Sequence, residues 1–210
     1  LVWLVPSVGL LITSFRPSAD MRATGWWTVL FEPRFTISNY ERVFEAEGMG
    51  QAFLNSLFIT IPATFLPLVI ASMAAFALAW VKFPFRDTTF LIIVAMLMVP
   101  VQIGFIPLVA AMRESGLPLL TSYAGVWLAH TAFALPFGIF LLRNFFITLP
   151  KDLIEAARID GASNVGIFRT IVLPLSVPAI AAYGIFQFLW VWNDLLMSLV
   201  YAQRNAIQPM

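Results

Sequence analysis

Apolar and polar positions fall in long blocks along this chain rather than alternating residue by residue. Charge-free runs cover residues 1–15, 48–81, 88–112, 115–142 and 170–193. The hydrocarbon layer of a bilayer is about 30 Å thick and a helix rises about 1.5 Å per residue, so about 20 apolar residues cross it. The last four runs meet that length. The first is expected to be the tail of a span whose start precedes Leu1. The pattern therefore predicts an all-α polytopic transmembrane bundle with five spans visible, the first truncated, and a sixth expected beyond Met210. A bilayer core offers the backbone no water, which selects helices, and the strict alternation of a membrane barrel is missing from these runs. Pro62, Pro100, Pro107 and Pro136 fall inside the runs and predict bends that help neighbouring helices pack.

Between the runs the connections differ in character. Residues 16–47 form a hydrophilic stretch that also carries Trp26, Trp27, Phe31, Phe35 and Tyr40. Residues 82–87 make a tight turn, Arg113-Glu114 begin another short link, and residues 143–169 hold the most polar connection. Composition agrees with this division. Hydrophobic residues are 60% of the 210 and charged residues 11%, against about 25% charged in an ordinary soluble domain. A net charge of +1 without a basic tract gives no reason to expect nucleic acid as a partner. The absence of cysteine excludes disulfides, thiolate metal sites and a cysteine nucleophile. Basic residues do not set the orientation: Lys82, Arg86, Arg143, Lys151, Arg158 and Arg169 on one side are matched by Arg16, Arg22, Arg34, Arg42, Arg113 and Arg204 on the other.

Residues 147–174 hold a compact polar element. Pro150 suits a helix start, because it lacks an N–H and its φ is preset. Asp152 and Glu155 follow near the positive end of the helix dipole, and Arg158 lies near its negative end. Gly161 supplies the left-handed residue that commonly ends a helix. Ser163 can cap a second short helix, which runs to Ile171 or Val172 and is stopped by Pro174. Leu153, Ile154 and Ala157 share one side of the first helix, and Ala156-Ala157 allow another surface close to the backbone. Two readings stay open on physics alone: a docking knob for a soluble partner, or an amphipathic connector on the membrane surface.

Glu155-Ala156-Ala157, three residues, Gly161, nine residues, Ile171, one residue and Leu173-Pro174 resemble the EAA loop of binding-protein-dependent ABC importer permeases. Further stretches resemble the sugar-importer, MalG-like branch of that family, with its MetI-like transmembrane fold. They are FTISNY at 35–40, LPFGIFLLRNFF at 135–146, LPKDLIEAARIDGAS at 149–163 and VWNDLL at 191–196. The resemblance implies that residues 1–210 are one importer transmembrane domain, with residues 16–47 periplasmic and residues 147–174 a cytoplasmic coupling loop. It also implies that Glu155, Ala156, Ala157, Arg158, Asp160, Gly161, Leu173 and Pro174 dock on an ATPase, with Glu155 pairing to a basic group there. The implied setting is the bacterial cytoplasmic (inner) membrane and its lipid. The implied partners are a second permease, two ATPase subunits that carry ATP and Mg, and a periplasmic sugar-binding protein. The cargo would be a carbohydrate, such as an α-glucoside oligosaccharide.

The last run carries unusual polarity. Tyr183, Gln187, Trp190 and Asp194 recur at i, i+4, i+7 and i+11, with Asn193 beside them. Lining of a sugar path, helix–helix glue and interfacial anchoring are all readings of such a stripe. His130 and Gln102 are expected to be packing residues, His130 with a hydrogen-bond partner. No phosphate-binding loop occurs among the 11 glycines, so ATP hydrolysis is not expected of this chain. No cofactor or metal site is expected in it either. The reading from a different class is an ion-coupled secondary transporter using Asp194.

Overall fold

The computed structural model describes residues 2–45 and 49–202, and no strand occurs among them. The chain divides into two compact units, Leu1–Phe53 and Leu54–Met210.

The first unit holds an apolar helix, Val5–Ser14, and the short helices Ser18–Ala23, Trp26–Leu30 and Ser38–Glu45. Buried Arg16 organises the hydrophilic part. Its guanidinium donates to the hydroxyls of Thr24 (2.6 Å) and Thr28 (3.0 Å) and to the Thr24 carbonyl (3.2 Å). Asn39 ties the last short helix back by donating to the carbonyls of Ser14 and Arg16 at 2.9 and 2.7 Å. One buried cation thus satisfies several turns at once, which makes this loop a built structure.

The second unit contains the bundle. Two helices are long and apolar enough to cross a membrane, Met49–Trp80 and Tyr123–Phe146. Two bent helix pairs pass the same test when each is counted as one span: Arg86–Met96 with Val101–Glu114, at 100°, and Asn164–Leu175 with Val177–Trp192, at 77°. The described residues therefore give up to four crossings, together with the shorter apolar helix Val2–Ser14.

Two expectations change here. The run 88–112 is a broken crossing. Pro100 removes a backbone N–H and disfavours helix at the residue before it, and the chain turns over Leu97–Val99 before resuming at Val101. Pro62, Pro67 and Pro136 lie inside continuous helices. The second short helix also does not stop at Pro174. Its turns widen to π geometry over Phe168–Val172, then continue to Leu175. A widened turn shifts the hydrogen-bond register, at the place where proline has no N–H to give.

Two apolar clusters hold the bundle. One joins Ala71, Ala75, Phe76, Leu142 and Phe146 to Ile154, Ile167 and Val172. The other joins Ile59, Ala63, Val126 and Ala129 to Val191, Met197 and Tyr201. Interhelical bonds add to the second: Tyr123 donates to the Asn55 carboxamide oxygen at 2.6 Å, Trp127 to the Phe58 carbonyl at 2.9 Å, and Tyr201 to the Phe105 carbonyl at 3.2 Å. Phe65, Ile61 and Leu189 stay exposed, as expected of surfaces that meet lipid or another apolar chain.

Candidate functional site

The polar bracket forms as its sequence dictates. Its first helix is Lys151–Ile159, preceded by Pro150 at the capping position, with Asp152 in the first turn and Arg158 in the last. Gly161 takes φ +79°, and the amide of Ala162 reaches back to the Ala157 carbonyl at 2.9 Å. The Ser163 hydroxyl then accepts from the Gly166 amide at 3.1 Å, which caps the second helix.

One face anchors and the other is free. Ile154 is buried and Ala157 packs against the cluster that holds Leu142 and Phe146. Leu153, expected on that same side, is exposed, as are Glu155, Ala156, Arg158, Asp160, Gly161 and Val165. The reason is angular: Leu153 precedes Ile154 by about 100° of helix rotation, and only Ile154 points into the cluster. Of the later positions, Leu173 is half-buried and Pro174 exposed.

Glu155 has a partner within its own helix. Lys151 Nζ lies 2.9 Å from its carboxylate, one turn away. The hydrogen bond from Lys151 holds the Glu155 carboxyl below its ordinary range, and the same bond raises Lys151. Both side chains are largely exposed, so the pair exchanges readily for another partner.

Arg158 ties the bracket to the bundle. Its guanidinium donates to the carbonyl of Trp80 at 2.6 Å, the last residue of the Met49–Trp80 helix. A helix C-terminus offers unpaired carbonyls and partial negative charge, so a guanidinium is favoured there. The Trp80 indole in turn donates to the Phe146 carbonyl at 3.1 Å, at the end of the Tyr123–Phe146 helix. A single tryptophan thus joins the bracket to the ends of both long helices. Arg143 stacks over the Phe90 ring at 4.0 Å and links the next crossing.

The polar stripe of the last crossing divides into three. Tyr183 is buried and donates to the Ala134 carbonyl at 3.1 Å, with Gly138 packed directly beneath its ring. That is helix–helix glue. Gln187 and Trp190 line a cavity of about 330 Å³. Gln187 also donates to the Ala63 carbonyl at 3.2 Å. Asn193 and Asp194 border a separate pocket of about 60 Å³, shared with Ser56, Thr60 and Ser198.

Asp194 does not extend the helical face as its spacing predicted. The helix ends at Trp192, and Asp194 caps the next helix, Leu195–Tyr201, by accepting from the Met197 amide at 2.9 Å. Adjacent Asn and Asp compete for backbone bonds and favour such a stop and restart.

The cavity brings in residues that spacing did not single out as lining. Its wall includes Leu97, Val99 and Pro100 from the broken crossing, His130, Phe133 and Phe137 from the Tyr123–Phe146 helix, and Met197. His130 is buried with its Nε2 unpartnered, whereas a hydrogen-bonded packing role was expected. Gln102 is exposed and does not line it. Pro100 marks the break that shapes this cavity, but Pro62 and Pro136 sit in equally apolar runs without breaking their helices, so proline alone did not signal it. No group of acidic, histidine or cysteine side chains among the described residues could hold a metal ion.

Residues 67–208 match a family described as binding-protein-dependent transport system inner membrane component. The osmoprotective compounds uptake permease protein GgtD of Synechocystis sp. is 53% identical over 209 residues, covering 98% of this chain and 70% of that protein. The alpha-glucoside transport system permease protein AglG of Rhizobium meliloti is 46% identical over 197 residues, covering 90% of this chain and 52% of its own length. The fold superposes with TM-score 0.83 on a chain from the crystal structure of a bacterial ABC transporter involved in the import of the acidic polysaccharide alginate. That alignment is 24% identical and covers 100% of this chain and 72% of the other.

Proposed function

Because this chain belongs to the binding-protein-dependent transport system inner membrane components, we propose that it forms a carbohydrate path together with a second permease. It is an ABC importer permease of the bacterial inner membrane. In our reading its cargo is an oligosaccharide or small glycoside, the α-glucosides foremost. A relative named for α-glucoside transport at 46% identity supports that choice. A periplasmic binding protein delivers the cargo, and two ATPase subunits supply the work.

The observation that carries the coupling half of this reading is the exposed bracket Lys151–Val165, held to the bundle through Ile154 and Arg158. Glu155, Ala156 and Gly161 present a low-profile surface that fits a cleft on the ATPase. When nucleotide draws the ATPase subunits together, the bracket moves with them. Arg158 passes the displacement to Trp80, and Trp80 to the ends of the two long helices. The ion-coupled alternative loses its footing, because Asp194 is spent as a helix cap.

Reconstitution of the complete assembly tests this. Uptake of maltose, trehalose or sucrose should require ATP and the binding protein, and Glu155→Ala should lower both ATPase retention and uptake. ATP-independent uptake, or full ATPase retention by Glu155→Ala, contradicts the coupling role.

A further inference from the structure

The cavity of about 330 Å³ sits where the crossing 88–112 breaks. Residues 97–100 lie at the middle of that charge-free run, which places an unwound backbone near mid-membrane depth. Backbone that has left a helix at such depth is tolerated only when buried in protein or facing a water-filled space. Here the side chains of Leu97, Val99 and Pro100 line the cavity. His130 and Gln187 bring polar side chains to a wall that is otherwise mostly apolar, which suits an occupant with both polar and apolar faces.

Four further observations narrow that occupant. His130 is 2% exposed and its Nε2 has no hydrogen-bond partner. Leaving such a group buried and unpaired is costly, and a ligand hydroxyl reaching it would recover that cost. Phe133, Phe137 and Trp190 supply aromatic surface on the same wall, suited to the C–H faces of a sugar ring. The volume falls at the small end of ligand sites and suits one or two rings. Among the described residues, no lysine, arginine, aspartate or glutamate lines the cavity. An anionic cargo would find no countercharge there, and burying an unpaired charge is prohibitive.

The geometry points to a neutral-sugar subsite within this subunit, in which His130 exchanges a hydrogen bond with a ring hydroxyl while Phe133, Phe137 and Trp190 pack on the ring. The assignment rests on the carbohydrate reading above and deepens it in two ways: this permease contacts the cargo itself, and it selects against acidic sugars.

Residues 1–210 hold no cysteine, so one can be introduced among them as a reporter and read against the labelling of the parent assembly. Ala132 is an exposed residue on the cavity wall, and Ala132→Cys is nearly isosteric. In the reconstituted assembly with ATP and binding protein, maltose, trehalose or sucrose should slow maleimide labelling of that cysteine. Glucuronate and glycerol 3-phosphate should not. His130→Leu should raise the uptake KM for the neutral sugars about tenfold, as loss of one buried hydrogen bond does. His130→Gln should recover much of the affinity. Labelling that ignores neutral sugar, equal protection by the acidic compounds, or an unchanged KM in His130→Leu overturns the subsite. Those results would leave the carbohydrate reading standing wherever the unmodified assembly takes up sugar. Failure of the unmodified assembly to take up any of the three sugars removes that reading, and the subsite with it.

Discussion

Gly161 holds φ +79°, and a Cβ placed there would meet nothing within 4 Å. Any penalty for substitution is therefore in the backbone alone. A β-branched residue forced left-handed costs about 1–2 kcal/mol, whereas asparagine adopts that region readily. Gly161→Val should loosen the bracket and lower ATPase retention, while Gly161→Asn should stay close to the parent. Pull-down of the ATPase from detergent extracts of the two variants checks this, and equal loss in both would mean that the ATPase needs the glycine's missing side chain. Gly138 works differently: its lack of a side chain admits the Tyr183 ring. Local chemistry made Gly161 readable in advance, since a helix terminator acts on adjacent backbone. Nothing local to Gly138 announced the ring that lies on it, because Tyr183 arrives from another helix.

Among the elements, the Lys151–Ile159 helix carries an exposed charge pair whose titration has a definite sign. Glu155 is depressed, so its contribution is present above the ordinary carboxylate value of about 4 and is lost as pH falls through the lowered value. Lys151 is raised, so its contribution is present below about 10 and is lost as pH rises through the raised value. The pair is thus intact across the working range. Lys151→Ala should leave the uptake profile between about pH 6 and 9 superimposable on the parent, and it should keep ATPase retention by freeing Glu155. Loss of retention in Lys151→Ala equal to that in Glu155→Ala would instead place the lysine on the docking surface. The bracket was legible because its caps and charges are local signals. The break at Pro100 was not, since Pro62 and Pro136 sit in equally apolar runs and leave their helices continuous; the neighbours that decide between the two lie far away in sequence. Asp194 misled for a related reason. Its spacing fitted the helical face, but the adjacent Asn193-Asp194 pair ends the helix.

At the level of the whole bundle, the contact from Arg158 to Trp80 and on to Phe146 joins the bracket to both long helices. Arg158→Ala should leave the ATPase bound and hydrolysing while sugar uptake per ATP falls by up to about tenfold, the ratio a charge-assisted hydrogen bond of about 1.5 kcal/mol carries. Side-by-side uptake and phosphate-release assays check it, and an unchanged ratio would show that Arg158 transmits nothing. A second route from bracket to bundle needs no side-chain contact. Asn164–Leu175 passes into Val177–Trp192 through Ser176, which is fully buried, at 77°. Two arms fixed near a right angle on a buried corner act as a bell crank. A thrust along the first arm emerges in the second as a swing. That second arm bears Gln187 and Trp190, so each stroke of the motor would tilt part of the wall against which the cargo rests.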